Sequence, residues 1–316
     1  MRKILILDAN NAAWRLIKRL PVLTVNGKPI QVVYGFLRLL RSCIEQFEPD
    51  VALVCWDSGH SKYRKTIFPQ YKGNRDHERN PKHAMEFNSF LSQAELLKTI
   101  LPDLNVAQAE YPENEADDLI GVACGSIPGL KIVVSSDMDM LQLVSENVQV
   151  WSPARTQLYR IETFKKKVGL SPEMYLQMRA LVGDDTDNIP GVAKGFGEIT
   201  ATELLNKYGS LDKLFSPEVE KKVSKQGNRH ALLYSEGSRK IAFRNLLLMD
   251  LSVAAVHCGP AVVDVVQHSI ENRKKIDRAK VHLTQRRRRK LPRQIDLPVS
   301  EQFAGHQESL PGGLRA

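Results

Sequence analysis

The segment Lys3-Ile-Leu-Ile-Leu-Asp8 is a short apolar run that ends in an aspartate, and it carries the fold prediction. The same pattern returns at Val51-Ala-Leu-Val-Cys-Trp-Asp57 and at Lys131-Ile-Val-Val-Ser-Ser-Asp137. Nearly continuous apolar runs of this length are typical of strands buried on both faces of a parallel sheet. Open α/β sheets form their functional sites at the carboxyl ends of such strands. We therefore expect the three aspartates to converge on one edge of a parallel sheet.

Helical patterns lie between these runs, around residues 31–47, 84–101 and 115–126. Strands that alternate with helices predict a doubly wound α/β layer, which the run Val148-Gln-Val-Trp151 is expected to extend by a fourth strand. From about residue 162 the pattern becomes helical. Ser171 and Pro172 form an N-cap and first helical position. We predict an α/β domain at 1–161 with a segment at about 60–98 set apart, a helical subdomain at 162–262, and a basic, disordered tail at 263–316.

The positive charge of the chain is concentrated in one segment. Residues 273–293 contain eleven Lys or Arg and one Asp, a net charge of +10, whereas the whole chain carries +9. The remainder therefore sums to about −1, and any positive DNA-binding surface on the folded body must be local. The tail could add sequence-independent affinity for DNA phosphates, or it could be a solvated extension with no role. The sequence leaves both alternatives open.

Several classes of protein are excluded by what the sequence lacks. No run approaches the roughly 18 apolar residues that a membrane span requires, and no secretory cleavage pattern follows Met1. The four cysteines are widely spaced, without a C-x-x-C pair, which predicts free thiols in a reducing compartment and indicates no zinc site. We expect a cytoplasmic monomer, from a bacterial cell or a phage-infected host, that makes no membrane contact.

Acidic residues form the strongest functional signal. Beyond the three strand ends they occur at Glu115-Ala-Asp-Asp118, Asp137-Met-Asp139 and Asp184-Asp-Thr-Asp187. Each acid alone could be an N-cap or a solvated turn residue. Together, carboxylates that converge on one edge raise each other's pKa unless a cation neutralises them. Oxygen ligands without His or Cys favour Mg²⁺ or Mn²⁺, and two such ions about 3.5–4 Å apart stabilise the attacking and leaving oxygens of phosphoryl transfer.

A basic segment follows the second strand-end aspartate. Residues 60–75 contain five Lys or Arg and no acid, with aromatic residues interleaved. The segment could be a solvated loop, but its position after Asp57 predicts that it projects over the acidic edge. There it would attract phosphate, and Tyr63, Phe68 or Tyr71 could stack on an unpaired base. The glycine-rich turn at 188–201 could bring backbone amides to a phosphate, or could simply join two helices.

In this order, the segments resemble the flap endonuclease / 5′–3′ exonuclease family, which includes the nuclease domain of bacterial DNA polymerase I and stand-alone bacteriophage exonucleases. The resemblance spans about residues 4–251, and the string Tyr71-Lys-Gly-Asn-Arg75 is most similar to the phage type. The motifs are Leu7-Asp-Ala-Asn10, Cys55-Trp-Asp57, Tyr71-Lys-Gly-Asn-Arg75, Glu115-Ala-Asp-Asp118, Ser136-Asp-Met-Asp139, Gly183-Asp184 to Gly191, and Arg244-Asn-Leu-Leu-Leu-Met-Asp250.

The resemblance implies a PIN-like α/β nuclease domain with a helix–three-turn–helix subdomain and two or more Mg²⁺ or Mn²⁺ ions. It implies that Lys72 and Arg75 lie at the base of a helical arch and touch the scissile phosphate. The implied metal ligands are Asp8, Asp57, Glu115, Asp117, Asp118, Asp137, Asp139, Asp184 and Asp187. The implied DNA contacts are Arg64, Tyr71, Gly191, Lys194, Gly195, Gly197 and Thr200. A potassium ion often binds the carbonyls of the turn around residues 191–200 in this family. Here that turn has one residue more than the usual spacing, and Ile199 stands where a lysine often follows the last glycine.

The expected function is divalent-metal-dependent 5′–3′ exonuclease and 5′-flap endonuclease activity on branched DNA in replication or repair, with RNA primers as a further substrate. Two alternatives are weighed against it. A PIN-type ribonuclease would be smaller and would lack the helical segment 171–250. A non-catalytic binder of branched DNA would be expected to have lost some of the acids, and all nine are present.

Overall fold

A computed structural model describes residues 1–75, 81–271, 275, 276 and 281. Its main sheet has six strands in the spatial order β5-β4-β1-β6-β7-β8. A separate two-stranded hairpin, β2-β3, lies between the first two helices. The strands are β1 (Lys3–Asp8), β2 (Thr24–Val25), β3 (Lys28–Pro29), β4 (Val51–Cys55), β5 (Ala107–Ala109), β6 (Leu130–Val134), β7 (Val148–Ser152) and β8 (Gln157–Tyr159).

Strand β1 is central and pairs in parallel with β4 and β6. Asp8 is in register with Cys55, and Leu7 with Val134, so the residues that follow β4 and β6 leave the sheet beside the end of β1. Strands β5 and β7 continue the parallel pairing, and β8 is antiparallel to β7. The predicted parallel sheet and its fourth strand are confirmed. The short strands β5 and β8 were not predicted, because a segment of three residues is too short to show an alternating hydrophobic pattern.

The helices cover both faces of the sheet. They are α1 (Ala9–Arg19), α2 (Gln31–Phe47), α3 (Lys62–Ile67), α4 (Pro81–Ile100), α5 (Ala116–Ser126), α6 (Ile161–Val168), α7 (Pro172–Val182), α8 (Glu198–Tyr208), α9 (Leu211–Leu214), α10 (Pro217–Val223), α11 (Asn228–Ala231), α12 (Ser238–Met249), α13 (Ala254–Cys258) and α14 (Pro260–Glu271). No helix among the described residues combines the length and the apolar content that crossing a membrane requires.

The apolar run of β1 is continuous because its two faces enter two different cores. Leu5 and Leu7 pack with α1, α2 and α4 on one face, whereas Ile4 and Ile6 pack with α5 on the other. All four side chains are fully buried, and burial of each contributes about 1.5–3 kcal/mol. The second core also contains apolar residues of α7, α8 and α14. The helical part therefore shares a core with the sheet.

Helix α7 begins as its sequence predicted. The Ser171 side chain accepts a hydrogen bond from the Met174 amide, and Pro172 occupies the first helical position. At the other end, a Cβ on Gly183 would lie 2.4 Å from the Ile189 carbonyl oxygen, and one on Gly191 would lie 2.2 Å from that of Val182. Only glycine allows the two backbone segments to approach this closely. The end of α7 and the turn that follows are consequently packed together.

Residue 263, where the tail was predicted to begin, lies inside helix α14. Helix α14 continues to Glu271, and Val262, Val266 and Ile270 on one helical face are buried against the sheet side of the core. Ile276 and Val281 are buried in the other core. The four-residue spacing of Val262, Val266 and Ile270 is a helical pattern that the sequence itself shows. Most of the basic segment 273–293, and the rest of the predicted tail, lie outside the described residues.

Candidate active site

Three aspartates lie at the carboxyl edge of the sheet, at or just after the ends of β1, β4 and β6. Asp8 accepts hydrogen bonds from the Asn11 amide (3.0 Å) and the Ser135 hydroxyl (2.9 Å). Asp57 accepts one from the Ala116 amide (2.7 Å), at the start of α5. Asp137 accepts one from the Asp139 amide (2.9 Å). The bonds from backbone amides are helix-capping bonds. The same aspartates can therefore serve both as caps and as metal ligands, which the sequence offered as alternatives. The caps fix the orientation of the carboxylates.

Seven aspartates form one electrostatically connected group, which we call the aspartate cluster. Asp57 and Asp137 raise the pKa of Asp8, and Asp184 raises the pKa of Asp137 and Asp139. A cavity of about 20 Å³, roughly the room that one water molecule needs, borders Asp117, Asp139 and Asp187 on one side and Arg64, Tyr71 and apolar residues on the other. The cluster comprises Asp8, Asp57, Asp117, Asp137, Asp139, Asp184 and Asp187.

Burial and mutual repulsion raise the pKa of several of these carboxyl groups. Burial, reinforced by Asp57, raises the pKa of Asp8 to about 7. Burial, reinforced by Asp137, raises the pKa of Asp139 to about 7. Asp117 is raised well above its ordinary pKa, mainly by burial and then by Asp8. Such a site gains free energy when cations neutralise it. The donor set consists of oxygens alone, which fits Mg²⁺ or Mn²⁺.

Arg179 joins two members of the cluster and was not anticipated from the sequence. Its Nε lies 2.8 Å from Asp139 Oδ1, and its Nη2 lies 2.6 Å from Asp184 Oδ2. Burial acts to raise the pKa of Asp184, but its hydrogen bonds with Thr186 and the charge of Arg179 leave it lowered. Arg179 lies inside a helix without a motif around it, so no local signal marks it.

Glu115 and Asp118 bind basic side chains, and Lys72 also joins Glu115 to Asp187 of the aspartate cluster. Glu115 is the N-cap of α5, and Asp118 completes a capping box with it. Arg64 Nη1 lies 2.8 Å from Asp118 Oδ2 and 3.4 Å from Glu115 Oε2, and all three side chains are almost fully buried. Burial opposes ionisation, but Arg64 holds the pKa of Asp118 well below its usual range. The structure therefore brings these two carboxylates to basic side chains of the segment at about 60–98, which we call the arch segment.

Lys72 and Arg75 reach the cluster from a tight turn at the base of the arch segment. Lys72 Nζ lies 2.8 Å from Glu115 Oε1 and 3.8 Å from Asp187 Oδ2, and Arg75 Nη2 lies 2.5 Å from Asp187 Oδ1. Lys72 adopts a positive φ of 54°, a conformation that costs energy outside glycine. Its amide donates to the Asp187 carbonyl (2.8 Å), which fixes the turn on residues 184–188.

Arg64 and Tyr71 are not at the surface, contrary to the expectation that they contact DNA. Arg64 is 4% exposed, and its Nε donates to the Leu248 carbonyl (2.7 Å). Tyr71 is 2% exposed, and its hydroxyl donates to Glu115 (2.8 Å). Tyr63 stacks on His257, and Phe68 lies under the Arg244 guanidinium. The aromatic residues of this segment therefore pack within the protein instead of presenting free faces to a base.

The glycine-rich turn divides into a packed part and an exposed part. Gly191 is pressed against the end of α7, where the buried Asn245 side chain donates to the Ala180 and Pro190 carbonyls (2.9 and 2.8 Å). Lys194, Gly195 and Gly197 are exposed, and Thr200 is half-buried in the first turn of α8. Ile199 is 78% exposed beside them. The surface available to a phosphate is thus the stretch from Lys194 to the start of α8.

Comparison with known proteins identifies related sequences and folds. Two family models match, "5'-3' exonuclease, N-terminal resolvase-like domain" over residues 3–169 and "5'-3' exonuclease, C-terminal SAM fold" over residues 170–254. A 5′-3′ exonuclease of Aquifex aeolicus is 36% identical over 68% of this chain and 72% of its own length. DNA polymerase I of Bacillus subtilis is 34% identical over 67% of this chain. The match spans only 24% of that polymerase.

Solved structures of a bacteriophage protein share the fold. The T5 5′-exonuclease with bound zinc ions has a TM-score of 0.69 at 22% identity, over 85% of this chain and 99% of its own. A T5 flap endonuclease complex with DNA and metal ions has a TM-score of 0.68 at 23% identity, over 85% and 98%. These likenesses concern the fold alone. Because the two family models together cover residues 3–254, the chain belongs to the 5′–3′ exonuclease family of nucleases.

Proposed function

We propose that this nuclease hydrolyses DNA phosphodiesters with divalent metal ions, as a 5′–3′ exonuclease and a 5′-flap endonuclease. The observation that carries the proposal is the aspartate cluster at the carboxyl edge of the sheet, with Lys72 and Arg75 directly beside it. An excess of buried carboxylates is costly unless the site works with cations. The adjacent Lys and Arg supply the groups that a phosphate requires.

The seven aspartates of the cluster are the proposed metal ligands. Bound Mg²⁺ or Mn²⁺ would lower the pKa of a water molecule and neutralise charge on the phosphate oxygens. Glu115 and Asp118 have a further proposed role, because they bind Lys72 and Arg64. They hold the base of the arch segment in place. Ser135 and Asn11 orient Asp8 through its two oxygens.

Lys72 and Arg75 are the proposed phosphate-binding cations. Burial acts to lower the pKa of Lys72, but Glu115 and Asp187 reverse this effect and raise it, so the side chain stays charged. A charged donor held in place before the reaction stabilises the charge that develops on the phosphoryl oxygens. Arg75 is 40% exposed at its side chain and pairs with Asp187, so it can exchange this partner for an incoming phosphate.

The DNA duplex is proposed to lie on the exposed part of the glycine-rich turn. The free amides at the start of α8 attract a backbone phosphate, and Lys194 adds a positive charge. A potassium ion on the carbonyls of this turn is part of the proposal. So are RNA primers as a second substrate, a monomeric state and a cytoplasmic location. Ile199 offers an apolar contact to a DNA sugar, at the position where a lysine would offer a charged contact.

Cleavage assays test the proposal. The protein is incubated with 5′-flap, nicked and single-stranded DNA, each labelled at the 5′ end, with Mg²⁺ or with excess chelator, and the products are sized. We expect cleavage near the flap junction with Mg²⁺ and none with chelator. Asp137→Asn should remove the activity, and Asp103→Asn, an exposed acid outside the site, should not. Undiminished turnover in chelator would refute metal dependence.

A further inference from the structure

A second cluster of possible metal ligands lies behind the aspartate cluster, where α13 packs on α5. It consists of Asp118 on α5 and His257 and Cys258 at the end of α13. Their ligand atoms all lie within 4.8 Å of one another. We propose that these three residues bind one soft divalent ion of the zinc class, separate from the ions of the aspartate cluster.

Three buried polar atoms at this place have no hydrogen-bond partner. They are Asp118 Oδ1, His257 Nδ1 and His257 Nε2. The His257 side chain is 6% exposed and that of Asp118 is 0% exposed. A buried polar atom without a partner destabilises the fold, so several together at one point require an explanation. A ligand that all of them can bind supplies it.

The geometry fits a shared ion better than a hydrogen bond. His257 Nε2 lies 3.6 Å from Asp118 Oδ1, beyond hydrogen-bond length. On tetrahedral zinc, with bonds of about 2.0–2.2 Å to nitrogen and oxygen, two such ligands lie about 3.4 Å apart. Tyr63 stacks on the imidazole at 4.1 Å between ring centroids and holds its plane. The Asp118 carboxylate keeps its other oxygen on Arg64, a type of outer contact common at metal ligands.

The donor types determine the class of ion. One thiolate, one imidazole and one carboxylate favour zinc, or cobalt in its place, over Mg²⁺, which prefers oxygen. A thiol binds a metal ion as the thiolate, after loss of its proton. The ion therefore displaces a proton from sulfur as it binds, and binding weakens as the pH falls. Three protein ligands leave one position for water.

An ion at this site would connect the C-terminal helices to the arch segment. Asp118 holds Arg64 on α3, and Arg64 in turn contacts Glu115, which holds Lys72. The site would thus stabilise the support of Lys72 without touching the substrate.

Cobalt spectroscopy tests the proposal with the full chain. The protein is saturated with Mg²⁺ to occupy the aspartate cluster and is then titrated with Co²⁺. A near-ultraviolet charge-transfer band, which only a cobalt–thiolate bond gives, should saturate at about one ion per chain. It should disappear in Cys258→Ser, fall strongly in His257→Ala and persist in Cys124→Ser, a free cysteine on α5. Added Zn²⁺ should bleach it.

Thermal unfolding provides a second readout that does not depend on the cobalt absorption band. Zn²⁺ should raise the Tm of the wild-type chain and of Cys124→Ser, and should leave that of Cys258→Ser unchanged, with circular dichroism confirming that each variant is folded. Absence of a thiolate band in the wild type, or an equal band in Cys258→Ser, would overturn the proposal. Nuclease activity of Cys258→Ser in Mg²⁺ should remain.

Discussion

Lys72 Nζ lies 2.8 Å from Glu115 Oε1, and this contact ties the arch segment to the N-cap residue of α5. Lys72 also contacts Asp187 in the helical part, so one ammonium group joins three separate segments of the chain. Its side chain is 9% exposed. A lysine buried in this way is a fixed charge, and its distance from the aspartate cluster is set by the fold.

Replacement of this lysine separates catalysis from binding. Lys72→Ala should lower the single-turnover rate about 10²–10³-fold, because its charge matters most in the transition state. The Kd for a 5′-flap substrate should change far less. Lys65→Ala, in the same basic segment, is the control. If the saturated rate stays intact and only affinity falls, Lys72 is an ordinary phosphate contact.

The same substitution should also lower stability. Without Lys72, Glu115 loses its 2.8 Å cation partner but keeps Arg64 at 3.4 Å, so the loss should be smaller than the roughly 3–5 kcal/mol of a buried charge left without any partner. The second substitution, Glu115→Gln, should restore part of the loss, since it removes the carboxylate that has lost its nearer cation. Denaturant unfolding of the single and double variants measures both values. Equal stabilities of Lys72→Ala and the double variant would contradict this account.

Removal of a carboxylate from the cluster should abolish cleavage and preserve DNA binding. Asp8→Ala and Asp137→Ala each delete a proposed metal ligand, and each also reduces repulsion of phosphate. We expect no measurable turnover, with a Kd for branched DNA equal to or below that of the wild type. Filter binding in Ca²⁺ and cleavage in Mg²⁺ make the comparison. Weaker binding by both variants would indicate that the cluster positions the DNA itself.

Without metal ions, stability should fall as the pH rises from about 4 to 7. Burial raises the pKa of Asp8 and of Asp139 from 3.8 to about 7, so the folded chain binds more protons than the unfolded chain in this range. Each pKa unit corresponds to about 1.4 kcal/mol, so the total is on the order of a few kcal/mol. The Tm in chelator should therefore be higher at pH 5.5 than at pH 8. Mg²⁺ should reduce the difference, and a metal-free Tm that rises with pH would contradict it.

Two truncations should have different effects. Ending the chain at residue 262 removes Val266 and Ile270 from the core, at about 1.5–3 kcal/mol each, and should destabilise the fold. Ending it at residue 281 should leave the Tm unchanged, and should flatten the salt dependence of DNA affinity if Arg286–Arg289 contact phosphates. Each phosphate contact contributes about −0.9 to the slope of log K against log salt. Identical slopes would show that these arginines stay off the DNA.

The sequence predicted the sheet and its acidic edge well, because both follow from local patterns. An apolar run ending in aspartate marks Asp8, Asp57 and Asp137 without any knowledge of distant contacts. Arg179 was missed because its partners lie 40 and 5 residues away and its helix carries no motif. The proximity of Asp118 to His257 and Cys258 was missed for the same reason, since these residues come from distant segments. The burial of Arg64 and Tyr71 could not be foreseen, because a basic, aromatic loop has the same composition whether its side chains face water or each other.

Residues 70–75 dock onto residues 184–188, and this contact fixes the distance between the two proposed phosphate-binding places. Asn74 Nδ2 donates to the Asp185 carbonyl (2.7 Å), and Asn188 Nδ2 donates to the Gln70 carbonyl (2.7 Å). Only a few residues separate this contact from the exposed glycines that precede α8. The phosphate-binding place at Lys72 and Arg75 and the one at the glycine-rich turn therefore cannot move independently. If DNA binds both, the spacing between the gripped phosphate and the cut one is a property of the protein. The position of the cut is then set relative to the bound duplex. The product length is determined by this distance rather than by base sequence.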